Sequence, residues 1–454
     1  MFGKYKKTAA LSICLIVAIS LAACAPSGGG NNLMDTNTNT GTNTSADAVS
    51  IVNVTAKDLI APSYETQTQP IKDAAAGAND FAFKLGAGLV KEAGDENFVF
   101  SPFSVWLPLA ALVNATDDNN KPALLEALGA AGVSADDINN AASRMLYDLT
   151  NEQSKAYTTD GGYYDPLKIA NAIFVGNNVT LKKDFAQTFA DYFRGTSFNV
   201  DFSSQGAVDA VNKWASDNTD GLITDVVQEF DPETIAAIAN AIYFSDRWRW
   251  EFDPDQTKED VFHAPAGDST ANFMIREGDA QTYYEDDNLQ AMPLGFTTGG
   301  GLYILLPKSG SASDLLASMT SDYFNQIQND SVQATGKLLL PRFKIDNDIK
   351  GLKDALKSIG VPLFDAETAP LTGGLVEENI DVWASDAMQK AMIEVDEKGT
   401  TAAAVTVMAM AGSSMPMPTA PFSMVCDKPF AFILYDYTYD GGSQILFTGV
   451  VNQP

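Results

Sequence analysis

Apolar positions along the chain recur with two periods, one typical of helices and one typical of strands. Phe81, Leu85 and Leu89 follow helical spacing, which predicts an amphipathic helix over residues 79–91. Short runs rich in β-branched and aromatic residues predict strands, for example at residues 169–175 and 239–244. The chain therefore mixes helices and strands, and it shows no repeated α/β units.

A change of pattern at residue 101 predicts the start of a further helix. The strand-like run at residues 97–100 meets the pair Ser101-Pro102, which is typical of a helix start. An apolar stretch over residues 105–114 follows, and it predicts a helix that leads directly out of the strand.

A long uncharged segment near the C-terminus has an unusual pattern. The charged run at residues 394–398 is followed by Gly399 and then by small residues, and residues 407–422 hold no charge. From Thr400 onwards both alternate faces are small or apolar, as a strand buried on both sides requires. The Gly, Ser and Pro residues at 412–418 instead favour an exposed, extended tip. We interpret the segment as a loop that is able to become a strand.

The N-terminus has the pattern of a secretory signal over residues 1–23. A lysine-rich start precedes the apolar run Leu11–Ala22, which is too short for a comfortable transmembrane helix. The run ends in Leu21-Ala22-Ala23-Cys24, which resembles a bacterial lipobox and implies cleavage before Cys24 and lipidation of its thiol. The alternative is an ordinary signal with a chance cysteine.

Composition then divides the remaining chain into a leader and a folded body. Residues 24–75 are predicted to form a flexible tether and leader. The part up to residue 48 has a polar composition, and the part after it is predicted to be an extended leader. The globular domain is predicted to span residues 76–454. Of Cys14, Cys24 and Cys426 only the last belongs to that body, so no internal disulfide is expected.

Charge and residue types narrow the possible functions. The net charge of −29 gives an acidic surface that repels nucleic acid, so no nucleic-acid partner is expected. His263 is the single histidine, which excludes a three-histidine metal site, and we interpret it as structural. No P-loop, zinc spacing or nucleophile elbow occurs, so we predict neither an enzyme nor a metal or other cofactor.

The segment after residue 396 resembles the hinge and reactive loop of the serpin family. The resemblance rests on Glu397, Gly399, Thr400, Ala402, Ala403 and Ala404. Further motifs match in order and spacing over residues 76–454, including Ser101, Ser104, Asn171, Asn240 and Trp248. The resemblance implies an α+β serpin fold with three β-sheets, about eight or nine helices and an exposed reactive-centre loop near the C-terminus.

The resemblance also implies a region where the main sheet opens to admit the loop. Its residues would be Ser101, Ser104, Asn240, Trp248 and Gln389. Gln389 stands where the family often has histidine, and its amide can donate a hydrogen bond towards Ser101 or Asn240. The substitution removes a titratable group from this region.

The function implied is that of a suicide substrate, which traps a serine protease when the cleaved loop enters the sheet. The loop has no Lys or Arg between Lys398 and Lys428, so its small residues suit elastase-like or subtilisin-like proteases. Family hinge spacing places the scissile bond between Ser413 and Ser414, with Met410 and Met415 as alternatives. Counting back from Pro429 gives Pro418, a poor cleavage residue.

Two other functions compete with inhibition. A non-inhibitory serpin would be a surface binding or structural protein, but no charge or proline obstructs the hinge between Thr400 and Ala404. A solute-binding lipoprotein would need repeated α/β units, which are absent. We therefore expect an inhibitor that acts as a monomer at the bacterial cell surface or outside the cell. Its partners would be the target protease and, through Cys24, a membrane.

Overall fold

The computed structural model describes most of the chain, with gaps before the predicted domain and within it. The described residues are 13–24, 50–51, 68–151, 156–157, 163–231, 233–400, 421–438 and 442–454. None of the helices among them is both long and apolar enough to cross a membrane.

Nine α-helices occur in the described part of the chain. They are α1 (Gln69–Ala93), α2 (Pro102–Leu112), α3 (Lys121–Ala127), α4 (Ala135–Thr150), α5 (Lys183–Phe193), α6 (Gln205–Asn218), α7 (Ala312–Ser318), α8 (Ser321–Asp330) and α9 (Leu352–Ser358). The predicted helix over residues 79–91 is the C-terminal half of α1. Residues 69–75 are also helical, where the sequence predicts an extended leader, because Ile71 and Ala74 are buried on the same face.

The second helix begins as the Ser-Pro pair predicts. Ser101 is its N-cap, and the Ser101 hydroxyl accepts a hydrogen bond from the Ser104 N–H at 3.2 Å. Every residue of α2 is buried, and the helix packs against strands of two different sheets. Helix α2 therefore lies at the centre of the core.

Eighteen strands form the rest of the described structure. They are β1 (Ile13–Cys24), β2 (Ser50–Ile51), β3 (Phe98–Phe100), β4 (Ala156–Tyr157), β5 (Tyr163–Tyr164), β6 (Leu167–Gly176), β7 (Gly195–Val200), β8 (Thr234–Phe244), β9 (Lys258–Ala264), β10 (Gly267–Glu285), β11 (Leu289–Gly295), β12 (Gly301–Pro307), β13 (Val332–Pro341), β14 (Phe343–Asp348), β15 (Asp381–Val395), β16 (Pro421–Val425), β17 (Phe430–Tyr437) and β18 (Ser443–Val451).

These strands build three sheets, which confirms the predicted α+β serpin architecture. The main sheet has the order β14-β15-β1-β8-β6-β7-β2, and a nine-stranded second sheet has the order β16-β13-β10-β11-β12-β17-β18-β3 with β9 paired to β10. A small third sheet pairs β4 with β5. Helix α2 contacts β8 of the main sheet and β18 of the second sheet, so it fills the space between them.

The centre of the main sheet contains the N-terminal strand. β1 lies between β8 and β15 and is antiparallel to both of them. Strands β8 and β15 therefore run in the same direction, and β15 leads directly into the predicted hinge. All residues of β8 are buried, as expected for a strand covered on both faces.

The backbone of α1 at Gly77 lies very close to the backbone of Gly129. A Cβ on Gly77 would lie 2.2 Å from the Gly129 carbonyl oxygen, whereas a Cβ on Gly88 of the same helix would meet only the Ala355 side chain at 3.7 Å. We expect Gly77→Ala to lower the free energy of unfolding by about 1–3 kcal/mol, because the helix must move away from Gly129.

Gly88→Ala is the matched control. It should leave stability unchanged or raise it by up to about 1 kcal/mol, because alanine favours the helix. Urea and thermal unfolding measure both effects, and equal midpoints for the two variants would contradict the described contact.

Candidate functional site

The predicted hinge begins with a tight turn at the end of β15. The Asp396 carboxylate accepts hydrogen bonds from the N–H groups of Lys398 at 2.8 Å and Gly399 at 3.3 Å. Gly399 has φ = 140°, and a Cβ there would lie 2.4 Å from the Asp246 carbonyl oxygen. The turn therefore requires glycine both for its backbone conformation and for the space beside residue 246.

An ion pair between the buried Glu397 and the half-exposed Arg342 holds the second residue of this turn. Glu397 is only 5% exposed, and its Oε1 accepts hydrogen bonds from Arg342 Nη2 at 2.6 Å and Nε at 2.8 Å. The Thr257 hydroxyl donates to the same oxygen. Burial by itself raises the pKa of Glu397, but the hydrogen bonds from Arg342 and Thr257 hold that pKa below its usual value. Glu397 is therefore ionised and fixed at neutral pH.

Trp248 covers the turn from the other side. Its ring stacks on Phe296 with 4.8 Å between centroids and a 10° interplanar angle. The indole Nε1 donates to the Asp396 carbonyl at 2.9 Å, and the Trp248 N–H donates to the Lys398 carbonyl at 2.8 Å. The tryptophan thus binds the backbone at two points of the turn.

The hinge continues beside the end of β8 rather than into solvent. The Thr400 N–H donates to the Asp246 carbonyl at 3.0 Å, and the Asp246 N–H donates to the Thr400 hydroxyl at 3.1 Å. Thr400 is only 1% exposed. Thr400, the last described residue of the hinge, is therefore buried near the ends of β8 and β15.

The Asp246 carboxylate supports this contact. Its two oxygens accept hydrogen bonds from the Thr297 hydroxyl at 2.6 Å and from the Thr298 N–H at 3.1 Å and hydroxyl at 2.5 Å. Burial and the negative charge of Asp246 raise the pKa of a second carboxyl group, that of Asp436, to about 7.

Sequence reasoning missed these supporting residues. Asp246 lies two residues before Trp248, inside a stretch that resembles the family, and Arg342 belongs to another matching motif. Their spacing from the hinge gives no indication of contact, because Arg342 and Glu397 are 55 positions apart.

The residues predicted to control opening of the sheet are all buried in the main sheet or beneath it. The Gln389 amide donates to the Ser101 carbonyl at 2.9 Å, and its oxygen accepts from the Ser101 N–H at 3.3 Å. The Ser104 hydroxyl donates to Asn240 Oδ1, and Asn240 Nδ2 donates to Asn171 Oδ1 at 2.8 Å. Both serines therefore form hydrogen bonds with residues of the main sheet.

Gln389 and Asn240 are linked only through helix α2, because the Ser104 N–H donates to the Ser101 hydroxyl. Gln389 is on β15 and Asn240 is on β8, and residue 17 of β1 is the register partner of both. The sequence predicts Ser101 or Asn240 as the partner of Gln389, and the Gln389 amide binds Ser101.

Most of the remaining predicted site residues belong to the loop after Thr400. Ala402, Ala403, Ala404, Met410, Ser413, Ser414 and Met415 lie outside the described residues. Cys24 is the last residue of β1, where its register partner is Asp381.

The single histidine has a local contact on the surface. His263 Nδ1 lies 2.8 Å from Asp268 Oδ1 within the hairpin of β9 and β10, and both side chains are exposed. The hydrogen bond and charge of Asp268 raise the pKa of His263. Across the ranges that the structure describes, no cluster of three or more His, Cys, Asp or Glu side chains could hold a metal ion.

A family model and individual relatives of this chain point to the same family. The model of the family described as "Serpin (serine protease inhibitor)" matches residues 76–454. The chain is 27% identical to alpha-1-antitrypsin 1-4 of Mus musculus over 414 residues, which cover 90% of this chain and 94% of the relative. It is 28% identical to neuroserpin of Homo sapiens over 384 residues, covering 79% and 87% of the two chains.

A solved structure gives the same result for the fold. The native-state crystal structure of tengpin, a thermophilic serpin, superposes with a TM-score of 0.71 and 23% identity. The superposition covers 88% of this chain and 96% of tengpin.

The ion pair between Glu397 and Arg342 predicts a pH-dependent loss of stability when Glu397 is replaced. We expect Glu397→Gln to lower the free energy of unfolding at pH 7 by about 1.5–3 kcal/mol, because the charge-assisted bonds to Arg342 are lost. The folded pKa of Glu397 is below its unfolded value, so its contribution is present above the unfolded pKa and disappears as pH falls through the folded pKa. The difference between wild type and variant should therefore shrink below about pH 4.

Glu394→Gln is the control for this change. Glu394 forms a more exposed pair with Lys344 at 3.3 Å, so its loss should cost at most about 1 kcal/mol. Urea unfolding at pH 7 and pH 3.5 measures both variants. An equal cost for the two, or a Glu397→Gln cost independent of pH, would contradict the role given to the Glu397–Arg342 pair.

Proposed function

The chain belongs to the serpin family, and we propose that it is an inhibitory serpin that traps serine proteases of the elastase or subtilisin type. The observation that carries the proposal is the hinge. Thr400 is buried beside the end of β8, and the residues that follow it are small or apolar and uncharged as far as the predicted scissile bond. Such a segment can enter the centre of a sheet without burying an unpaired charge.

The proposed mechanism begins as ordinary proteolysis. The nucleophile of the protease attacks the carbonyl carbon of Ser413, the bond to Ser414 breaks, and the new amine of Ser414 takes the proton. The protease is then esterified to the end of a released segment that is attached to β15 through the hinge. Insertion of that segment as a new strand must be faster than hydrolysis of the ester for the protease to remain trapped.

The energy for trapping comes from the added strand. Serpin loop insertion is an established case of strand addition and of the release of stored strain. About 14 residues span roughly 45 Å at about 3.3 Å each. If each gains about one net hydrogen bond at ~1 kcal/mol, insertion supplies on the order of 10 kcal/mol. That is comparable to the stability of a whole domain, and it is enough to distort a bound protease.

The tip of the loop supports the target class. No basic side chain lies between Lys398 and Lys428, so a trypsin-like protease has no anchor there. The loop has no aromatic residue before Phe422, so it lacks the side chain that a chymotrypsin-like protease prefers. Alanine, valine, serine and methionine fit the small apolar pockets of elastase-like and subtilisin-like enzymes.

We further propose that the protein is a monomeric lipoprotein anchored through Cys24 on a bacterial surface. Support comes from Leu21-Ala22-Ala23-Cys24 after a lysine-rich, apolar start. A diacyl anchor would hold an otherwise soluble inhibitor at the membrane that it protects.

A charge in the hinge tests inhibition. We expect Thr400→Arg to reduce the SDS-stable complex with an elastase or a subtilisin at least tenfold, because an unpaired charge must be buried before the strand can enter. Cleavage near Ser413 should continue, so the variant becomes a substrate. Gel electrophoresis and mass spectrometry measure complex and cleavage together.

Thr419→Arg makes the same change beyond the scissile bond and should still trap. Thermal unfolding of both uncleaved variants controls for folding, since Thr400 is buried. Absence of a covalent complex with any elastase-like or subtilisin-like enzyme, for wild type as well, would favour a non-inhibitory surface serpin.

A cysteine substitution tests the anchor. Cys24→Ser should abolish incorporation of radiolabelled palmitate, because the thiol that accepts the lipid is missing. The variant should be released from the membrane or remain unprocessed. Cys426→Ser is the control, since Cys426 is buried in the folded body. Equal labelling of the Cys24→Ser variant and wild type would show that the anchor is wrong.

A further inference from the structure

Residues 13–23 of β1 belong to the secretory signal that the sequence predicts to be removed. We call residues 13–24 the signal leader, which is distinct from the extended leader predicted before residue 76. Its position in the main sheet is unexpected for a removable segment. Residues 14–24 pair with β15 from Met392 to Asp381, and residues 13–22 pair with β8 from Phe244 to Thr234. The pairing covers the full length of β8. In the chain that retains its signal leader, the signal leader is therefore a central strand of the main sheet.

This position coincides with the path of the cleaved loop. The hinge leaves β15 at Val395 and turns back at Asp396–Gly399, so a segment that continues into the sheet must run antiparallel to β15. Thr400 is already bonded to Asp246, two residues beyond the end of β8. The next residues would enter between β15 and β8, beginning at Phe244 and Met392, where β1 itself begins.

The signal leader is suited to this position by composition. Residues 13–24 contain no charge, no glycine and no proline, and they are rich in isoleucine, leucine, valine and alanine. A strand buried on both faces needs such a sequence. The loop has a similar pattern after Thr400, so signal leader and loop compete for one place.

We propose that residues 13–24 act as an autoinhibitory strand, so that the unprocessed chain cannot trap a protease and removal of the signal leader opens the main sheet. This inference rests on the proposed inhibitory function. Since the place beside β15 is filled, a loop cleaved in the precursor has no site to enter, and the acyl-enzyme hydrolyses. Processing before Cys24 would then both anchor the inhibitor and activate it.

The first experiment compares trapping by the two forms. The full chain, purified from the cytoplasm with its signal leader intact, and a chain beginning at Ala25 are incubated with an elastase and with a subtilisin. We expect the full chain to form at least tenfold less SDS-stable complex than the shorter chain, although both are cleaved. Equal trapping by the two forms would overturn the inference and leave the inhibitory function intact.

A variant within the signal leader separates strand pairing from other effects of the extra residues. Val17 pairs with both Gln389 and Asn240, so Val17→Pro in the full chain removes ladder hydrogen bonds on a central strand and should expel the signal leader. Trapping should return to the level of the shorter chain. Val17→Ala keeps the backbone donor and should remain blocked. If Val17→Pro stays blocked as well, strand pairing is not the cause.

The second experiment tests the position of the signal leader without a protease. Cys24 is opposite Asp381, and register partners on antiparallel strands lie within reach of a disulfide. In a full chain with Cys14→Ser, Asp381→Cys should form an intramolecular disulfide with Cys24 on mild oxidation. Asp386→Cys is the matched control, because Asp386 is an equally exposed aspartate of β15 whose partner is Ser20.

The two experiments distinguish the inference from the function on which it rests. If neither form of the chain traps a protease, the inhibitory function is wrong, and the disulfide alone decides where the signal leader lies. A disulfide at position 381 but not at 386 supports the central strand. No disulfide at 381, or equal yields at both positions, overturns it.

Discussion

The structure depends on how the backbone groups that β8 and β15 direct towards each other find partners. These two strands run in the same direction, and each presents a row of N–H and C=O groups towards the other. Buried backbone groups of this kind need partners, and a strand that runs antiparallel to both supplies them. In the described chain that strand is β1. The central position of the main sheet is thus a site for which any sufficiently long, uncharged segment of the same chain can compete.

The buried groups around the hinge fix where a loop would enter this site. Trp248, the Glu397–Arg342 pair and Asp246 each bind the short segment from Asp396 to Thr400. Their contacts hold the segment at one end of the space between β8 and β15. Under the proposed mechanism, the direction of insertion would be set before cleavage by these groups outside the loop.

The middle of the main sheet is held by neutral hydrogen bonds. Gln389 binds the backbone of Ser101, and Asn240 binds Ser104 and Asn171. With glutamine in place of the histidine frequent in the family, none of these groups titrates near neutral pH. Close to the hinge the situation differs, because burial raises the pKa of Asp436 to about 7. A carboxyl group with a pKa near neutrality therefore lies near Asp246 rather than among these hydrogen-bonded groups.

Local patterns determined much of this protein. Helical spacing at Phe81, Leu85 and Leu89 predicts the C-terminal half of α1, and the Ser101-Pro102 pair predicts the start of α2. Ordered motifs and the small residues after Gly399 identified the family and the hinge, because each depends on neighbours in sequence. The reactive bond was also predicted from the sequence, and its residues lie outside the described part.

Only the tertiary structure decided which distant segments meet. The apolar run at 13–24 has the composition of a secretory leader and equally that of a buried strand, so its pattern by itself could not predict pairing with β8 and β15. Arg342 and Glu397, or Asp246 and Thr400, are likewise ordinary polar residues in sequence. The physical reason is that strand partners and buried ion pairs are selected by the space and unpaired backbone groups that the folded chain provides, and these are not encoded in any one stretch.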